Sequence, residues 1–200
     1  MKQAFVIFAL LFVTFSNISA AQKALKDEID HKLVTFQPRK FEYKNFTLPT
    51  SVEDKTLDLR EATKGKKLVL VTYFAAWCEN SNHDYETIQH LLKKFGDKGL
   101  AVIGVCNYSE TKEVKEFITK HQPLYPICIE STDDKLREKT LHYNYRKMCG
   151  DPRKWGTPFS LLIEAKNIHA DGEIFANEVL AANGELDRKE AEKLIKQLLK

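Results

Sequence analysis

Hydrophobic and polar positions follow two different periods along this chain. Residues 67–74 and 100–105 are short apolar runs, which are typical of strands buried on both faces. Residues 84–95 instead repeat their apolar side chains every three or four positions, and this spacing predicts an amphipathic helix. Ser109 or Thr111 is expected to cap a second helix. The change of period indicates strands that alternate with helices.

The rest of the chain continues this alternation. Further strands are expected at residues 41–48, 56–59, 125–129, 159–163 and 173–175, and a further helix at residues 133–145. Asp187 is expected to cap a last amphipathic helix. This order of elements predicts an α/β fold in which helices cover a central sheet.

Composition and charge are those of an ordinary soluble domain. The chain has 200 residues, of which 43% are hydrophobic and 30% are charged. That length is sufficient for one well-buried domain. The formal net charge is +3, and basic and acidic residues are interspersed, so nucleic acid is not expected as a partner.

Residues 1–21 have the layout of a secretory signal peptide. A basic start is followed by an apolar run at residues 4–15 and by small residues up to Ala21. The run is short for a membrane span, and an uncleaved anchor is the alternative. A membrane partner is expected only in that case. Residues 22–40 are then expected to form an N-terminal arm, and residues 41–200 one domain.

The leader indicates a protein that is exported, either to the periplasm or into the medium. Cysteines outside the cytosol can oxidise and stay oxidised. The chain has four cysteines, at positions 78, 106, 128 and 149, and four cysteines allow three complete pairings. The sequence by itself does not select one of them.

Cys78 stands where a buried strand meets a helix. It follows an apolar run that ends in Trp77. Backbone amides and the dipole at a helix N-terminus favour negative charge, and the thiolate is the reactive form of cysteine. Cys78 is therefore the candidate nucleophile. The alternative is a buried, unreactive thiol.

A second feature precedes the predicted strand at residues 159–163. Gly156-Thr157-Pro158 puts a proline at the start of a central-looking strand, which indicates a special turn. A cis peptide bond is one form that such a turn takes.

Taken together, these segments resemble the exported thioredoxin-like proteins of the redoxin or TlpA type. The matching segments are Phe46-Thr47-Leu48, Gly65-Lys66, residues 68–78, residues 99–105, Tyr125-Pro126, Gly156-Thr157-Pro158 and Asp171-Gly172-Glu173-Ile174. The resemblance implies a thioredoxin fold, with a central mixed sheet flanked by helices and a βα insertion around residues 114–129. It also implies a cis Thr157-Pro158 bond beside Cys78. Trp77, Thr157 and Pro158 would then line the groove for an extended partner chain.

The chain departs from that family at Ser81. The usual motif is Cys-x-x-Cys, and here it reads Cys78-Glu79-Asn80-Ser81. In two-thiol enzymes the first cysteine attacks a disulfide and the second resolves the mixed disulfide. A serine cannot resolve it, although its hydroxyl can hydrogen-bond the sulfur of Cys78.

Three functions remain open. The first is a thiol–disulfide oxidoreductase in which Cys149, from the loop ahead of Thr157-Pro158, resolves the mixed disulfide. The second is a monothiol protein that forms mixed disulfides, or a binding module without turnover. The third is a thiol peroxidase, for which Val105-Cys106-Asn107 is a weak match. Protein or small-molecule thiols and disulfides are the expected partners.

Two further cysteines have a structural interpretation. Cys106 and Cys128 lie toward the ends of two predicted strands, which the resemblance makes neighbours. A structural disulfide between them is one alternative, and two packed free thiols are the other. His121, His142 and His169 lack metal-like spacing with the cysteines, so no metal and no cofactor are expected.

Overall fold

The computed structural model describes residues 32–200. Its strands are, in chain order, β1 (Gln37–Lys44), β2 (Thr47–Pro49), β3 (Thr56–Asp58), β4 (Leu68–Phe74), β5 (Leu100–Cys106), β6 (Ile127–Ile129), β7 (Phe159–Glu164) and β8 (Ile174–Ala182). Its α-helices are α1 (Leu59–Ala62), α2 (Glu79–Phe95), α3 (Thr111–His121), α4 (Leu141–Met148) and α5 (Arg188–Leu198). Short 3-10 helices cover Gly96–Lys98, Asp134–Lys139 and Ala165–Asn167.

Six strands form one mixed sheet in the order β1-β8-β7-β4-β5-β6. Strands β4, β5 and β6 run parallel, whereas β7, β8 and β1 pair antiparallel to their neighbours. Strands β2 and β3 form a separate two-stranded sheet. The predicted α/β class and central mixed sheet are confirmed. Helix α3 and strand β6 occupy the place of the expected βα insertion.

Strand β4 is central because both of its faces are apolar. Every residue of β4 is buried. Leu68 and Leu70 pack in the core that also holds the inner faces of α2, α3 and α5. Val69 and Val71 pack in the opposite core, with residues of α1 and α4. A strand covered on both sides in this way can place the residue after its end at a fixed position.

The described compact unit begins at Leu33. Strand β1 starts at Gln37, within the range for which the sequence predicts an N-terminal arm, and pairs with β8. Val34 N–H donates to Glu185 O at 2.7 Å. Residues 1–31, which include the expected signal peptide, lie outside the described residues. Within residues 32–200 we find no helix with the length and hydropathy needed to cross a bilayer.

Two predicted elements are divided in the structure. The strand expected at residues 41–48 is split into β1 and β2, with the break at Asn45 and Phe46. The helix expected at residues 133–145 is a 3-10 helix followed by α4. The break comes at Thr140, whose backbone is extended and whose hydroxyl accepts from Tyr143 N–H as an N-cap.

Candidate active site around Cys78

Cys78 lies between β4 and the first turn of α2. It is the N-cap residue of α2, with an extended backbone, and its side chain is partly exposed. Its carbonyl accepts from Asn82 N–H at 3.0 Å and from Asn82 Nδ2 at 2.9 Å. These bonds fix the backbone of Cys78 at the end of the sheet. Its sulfur therefore lies at the positive end of the helix dipole, where a thiolate is favoured.

The sulfur faces the turn before β7. The Thr157-Pro158 peptide is cis, as the resemblance implied. Sγ of Cys78 donates to the carbonyl oxygen of Thr157 at 3.6 Å. The structure thus brings together three of the residues singled out from the sequence.

Ser81 lies one helical turn after Cys78, on the buried side of α2. Its side chain is only 3% exposed. The expected hydrogen bond to the Cys78 sulfur is not formed, because the Ser81 hydroxyl has no hydrogen-bond partner among the described residues. The hydroxyl lies in the first turn of the helix that Cys78 caps, but the two side chains share no hydrogen bond.

Trp77 lines the surface beside the thiol. It is 41% exposed, and its Nε1 donates to the carbonyl of Tyr108 at 2.7 Å. Its ring meets that of Trp155 edge-on, with 5.4 Å between centroids, and Trp155 in turn contacts Tyr108. These aromatic side chains line a surface cavity of about 530 Å³. The position of Trp77 therefore suits the wall of a groove, and Trp155 extends that wall.

Arg153 holds the turn that faces Cys78. Its Nη1 donates to Thr157 O at 3.3 Å, and its Nη2 donates to Gly156 O and Pro158 O, both at 3.1 Å. The same guanidinium is paired with Asp151, with Nη2 2.6 Å from Oδ2. Three successive carbonyls thus accept hydrogen bonds from one side chain.

The charge on Asp151 is retained although its side chain is buried. Burial raises the pKa of this carboxyl, but the hydrogen bonds and charge of Arg153 outweigh that effect and hold the pKa below its usual value. Sequence analysis gave no signal for this arrangement, because the carbonyl acceptors become visible only once the turn is folded.

A buried histidine supports the same turn from α4. His142 Nδ1 lies 2.9 Å from the Tyr108 hydroxyl, and Nε2 lies 3.2 Å from Gly156 O. Because a carbonyl only accepts, Nε2 carries the proton and Nδ1 accepts from Tyr108. Burial lowers the pKa of His142 to about 3, so the ring is neutral and acts as a structural bridge.

Cys149 is a buried, free cysteine. It follows α4 and is buried in the core that contains Tyr43 and Phe175. Its carbonyl accepts from Asn183 Nδ2 at 3.3 Å. Burial raises the pKa of its thiol, although Arg39 of β1 opposes the shift. β1 and β8, beside which Cys149 lies, are separated from β4 by β7 in the sheet. No disulfide joins this thiol to Cys78, since both cysteines are free.

The disulfide considered for Cys106 and Cys128 is not formed, and all four cysteines are free. The reason is the register of β5 and β6. Cys106 pairs with Ile129, and Cys128 pairs with Val105, so the two cysteines are offset by one position and point to opposite faces. They accordingly pack in different cores. Burial raises the pKa of Cys106 to about 11 and that of Cys128 to about 12.

Asp84 is a buried acid that the sequence analysis missed. It lies on α2, one turn beyond Ser81 and two turns beyond Cys78. Its Oδ1 accepts from Leu186 N–H at 2.8 Å, and Oδ2 has no partner among the described residues. Burial raises its pKa to about 7, and the nearby Glu185 adds to the shift. The spacing of three from Ser81 was the available signal, because it places both side chains on one helical face.

The fold and this site can now be compared with known proteins. A model of the AhpC/TSA family matches residues 41–154, which is more than half of the chain. The chain belongs to the AhpC/TSA family. The family match includes Cys78 and the Asp151–Arg153 pair, and it ends just before the turn that faces the thiol.

Relatives of this AhpC/TSA-family chain include the thioredoxin-like protein YneN of Bacillus subtilis (strain 168). It is 33% identical over 90 residues, which are 43% of this chain and 50% of that protein. The chain therefore spans about half the length of the curated relative that it matches.

Solved structures share the fold at low sequence identity. A thiol:disulfide interchange protein of the DsbE type from Chlorobium tepidum has a TM-score of 0.57 at 18% identity, covering 81% of this chain and 98% of that one. A secreted disulfide oxidoreductase of Mycobacterium tuberculosis, homologous to DsbE of E. coli, has a TM-score of 0.52 at 10% identity, covering 76% and 95%. A DsbF homologue of Corynebacterium diphtheriae has a TM-score of 0.57 at 14% identity, covering 83% and 93%. At these identities the likeness concerns the thioredoxin fold.

Within residues 32–200, no three His, Cys, Asp or Glu side chains gather closely enough to hold a metal ion. What the arrangement offers chemically is a partly exposed thiol at a helix N-terminus, with a carbonyl-lined turn on one side and aromatic rings on the other. Such a thiol can attack a sulfur atom that is presented in the groove.

Proposed function

We propose that this chain is an exported thiol–disulfide exchange protein that works through one sulfur, that of Cys78. One observation carries the proposal. Cys78 is the partly exposed cysteine at the N-terminus of α2, whereas the thiols at positions 106, 128 and 149 are buried and burial raises the pKa of each. Attack on a disulfide needs access to the attacking sulfur, and Cys78 is the cysteine that offers it.

The exchange has two balanced steps. The Cys78 thiolate attacks one sulfur of a partner disulfide, the partner's S–S bond breaks, and the other partner sulfur leaves as a thiolate that takes up a proton. The product is a mixed disulfide on Cys78. A thiolate from solution then attacks the partner sulfur of this bond, and Cys78 leaves as a thiolate. The partner sulfur ends in a disulfide with the external thiol, so the two steps exchange one half of the partner disulfide, and a second external thiol is needed to reduce it completely.

The protein's own residues do not supply the second thiol in this proposal. Ser81 occupies the resolving position and has no sulfur. Cys149 is buried behind α4, beside Arg39 of β1. A monothiol cycle is therefore favoured over one that Cys149 resolves.

Several comparisons support the wider parts of the proposal. The structures that share the fold are described as thiol–disulfide oxidoreductases or interchange proteins, and two of them as secreted. Residues 1–21 have the layout of a signal peptide, which agrees with export. We propose protein or small-molecule disulfides as the partners, with Trp77, Thr157 and Pro158 forming the wall of the groove.

The test is a mass map of the native protein after brief treatment with a small aromatic disulfide such as 4,4′-dithiodipyridine. We expect one adduct, on Cys78, and none on Cys78→Ser. The adduct should persist until an external thiol is added. An adduct found first on a buried cysteine would contradict the proposal, and rapid sulfenic acid formation at Cys78 under micromolar peroxide would indicate a peroxidase instead.

A second variant tests the absence of an internal resolving thiol. The mixed disulfide on Cys78 should last equally long in the native protein and in Cys149→Ser. Spontaneous release with formation of a Cys78–Cys149 disulfide in the native protein, abolished by Cys149→Ser, would show that Cys149 resolves the intermediate after all.

A further inference from the structure

The carbonyl oxygen of Thr157 accepts two hydrogen bonds at once. One comes from Sγ of Cys78 at 3.6 Å, and the other comes from Nη1 of Arg153 at 3.3 Å. The two distances add to 6.9 Å, which is the upper limit of the separation between Nη1 and Sγ. A permanent positive charge is therefore held close to the candidate nucleophile.

This shared acceptor has a consequence when Cys78 loses its proton. The thiol donates to the Thr157 carbonyl, but a thiolate cannot donate, and the negative end of the carbonyl dipole then faces a negative sulfur. A guanidinium that is bonded to the same oxygen offsets this repulsion. Arginine suits the task because it stays charged at every pH at which cysteine titrates.

Arg153 is held in place by a buried carboxylate and by backbone carbonyls. Its Nε and Nη2 contact the carboxylate of Asp151, which is only 2% exposed, and Nη2 also binds the carbonyls of Gly156 and Pro158. The backbone that carries Arg153 is fixed as well, because Arg146 Nη1 donates to the Arg153 carbonyl at 2.7 Å. About a third of the Arg153 side chain remains exposed.

We infer that Arg153 is a positioning residue for the proposed reaction: it fixes the Thr157-Pro158 turn against Cys78 and, through the shared Thr157 carbonyl, favours the thiolate over the thiol. The inference rests on the proposed function of Cys78. The loop before the turn, through Arg153, then helps to set the reactivity of the Cys78 sulfur.

Other charged and titratable groups lie on the elements around the pair. They are Glu79, His83 and Asp84 on α2, Glu110 and Glu113 at the start of α3, Arg146 on α4, and Asp151 and Lys154 in the loop. Lys154 is the matched control for Arg153, because it is an adjacent cation that lies over the Trp155 ring rather than on the turn carbonyls.

The experiment is the rate of alkylation of Cys78 by iodoacetamide, an uncharged reagent, measured from pH 5 to pH 10 on the full chain. For Arg153→Gln we expect the midpoint of the rate–pH profile to move up by about one unit, so that the rate below the midpoint falls roughly tenfold. Lys154→Gln should leave the profile unchanged. Arg153→Lys, which keeps the charge, should recover at least half of the shift.

A purely structural role predicts a different result. A loosened turn would change the rate by the same factor at every pH and leave the midpoint in place, and that outcome for Arg153→Gln overturns the inference. If this variant does not fold, Asp151→Asn decides the question. Removal of the carboxylate leaves the guanidinium less neutralised, so the midpoint should move down, and an unchanged or raised midpoint overturns the inference. Alkylation needs neither a partner nor turnover, so this result is independent of the mixed-disulfide experiment.

Discussion

Ser81 is buried one turn after Cys78, with a hydroxyl that has no hydrogen-bond partner among the described residues. A buried hydroxyl without a partner destabilises the folded protein by about 1–3 kcal/mol. A thiol at this place would be a smaller loss, because sulfur is a weak hydrogen-bonding group and tolerates apolar surroundings. The surroundings of position 81 therefore suit a cysteine side chain, which is the residue that the Cys-x-x-Cys motif carries there.

We predict that Ser81→Cys converts the chain into a two-thiol reductant. The new thiol would lie on the same helical turn as Cys78 and could attack its mixed disulfide from within the protein. Insulin reduction with dithiothreitol as electron donor should rise well above the native level. Ser160→Cys is the control, because Ser160 is also buried with an unpartnered hydroxyl but lies on β7. Equal activity of the two variants would contradict the prediction.

Cys78 and Cys149 show what a sequence can and cannot predict about single residues. The position of Cys78 follows from a local pattern, an apolar strand that leads directly into a helix, and the structure places it at that junction. The position of Cys149 depends on which side of α4 meets the sheet. That packing joins Cys149 to residues of β1 and β8, which are distant in sequence, so no local pattern could place it.

At the scale of elements, the same distinction appears between strands and their register. The strands β5 and β6 were expected from their apolar composition, and their adjacency was implied by the resemblance. Which face each cysteine occupies depends on a one-residue offset between the strands, and a shift of one residue reverses every side chain. The alternative of two packed free thiols, rather than a disulfide, was therefore decided only by the register.

The loop before β7 offers a matched pair of glycines for a test. Gly156 has φ +69°, and a Cβ built there would overlap the side chain of Arg146. Gly150 has φ +76°, but a Cβ there would meet no atom within 4 Å. At both positions a residue with a side chain would adopt a strained backbone conformation. Only at Gly156 would that side chain also overlap a neighbour.

We predict that Gly150→Ala lowers the free energy of unfolding by about 1 kcal/mol, from backbone strain alone. Gly156→Ala should lower it by about 3 kcal/mol, because Arg146 must also move away from the carbonyls that it binds. Urea unfolding measures both values. Gly156→Ala should also change the alkylation rate of Cys78, since the Gly156 carbonyl belongs to the turn that Arg153 holds. An equal decrease in the free energy of unfolding for the two variants would show that the packing of Arg146 against Gly156 does not contribute to stability.

At the scale of the whole molecule, Asp84 joins three distant parts of the chain. Its Oδ1 accepts from Leu186, just before α5, and the neighbouring Glu185 carbonyl accepts from Val34 near the N-terminal end of the compact unit. Helix α2, which follows Cys78, is thereby tied to both ends of the domain. A buried carboxyl at this junction makes the stability of the fold depend on pH.

The sign of that dependence follows from the direction of the shift. Burial raises the pKa of Asp84 from 3.8 to about 7, so the folded state holds a proton that the unfolded state has already lost. Stability from this group is complete below about pH 4, falls as the pH rises toward 7, and is absent above it. The carboxyl thus destabilises the fold at neutral pH, a pattern found where a buried acid serves a purpose other than stability.

We predict that Asp84→Asn stabilises the protein at pH 8 by up to about 4 kcal/mol and has little effect below about pH 4. The amide keeps an oxygen for Leu186 N–H and cannot ionise, so the difference between variant and native protein should grow through the interval in which Asp84 titrates. Denaturant unfolding at several pH values measures this difference. Asp97→Asn, at an exposed position just beyond the other end of α2, should give a difference that does not vary with pH. If Asp84→Asn behaves like Asp97→Asn, the Asp84 carboxyl is hydrated rather than buried, and the junction that it forms between α2 and the two ends of the domain is looser than its hydrogen bonds indicate.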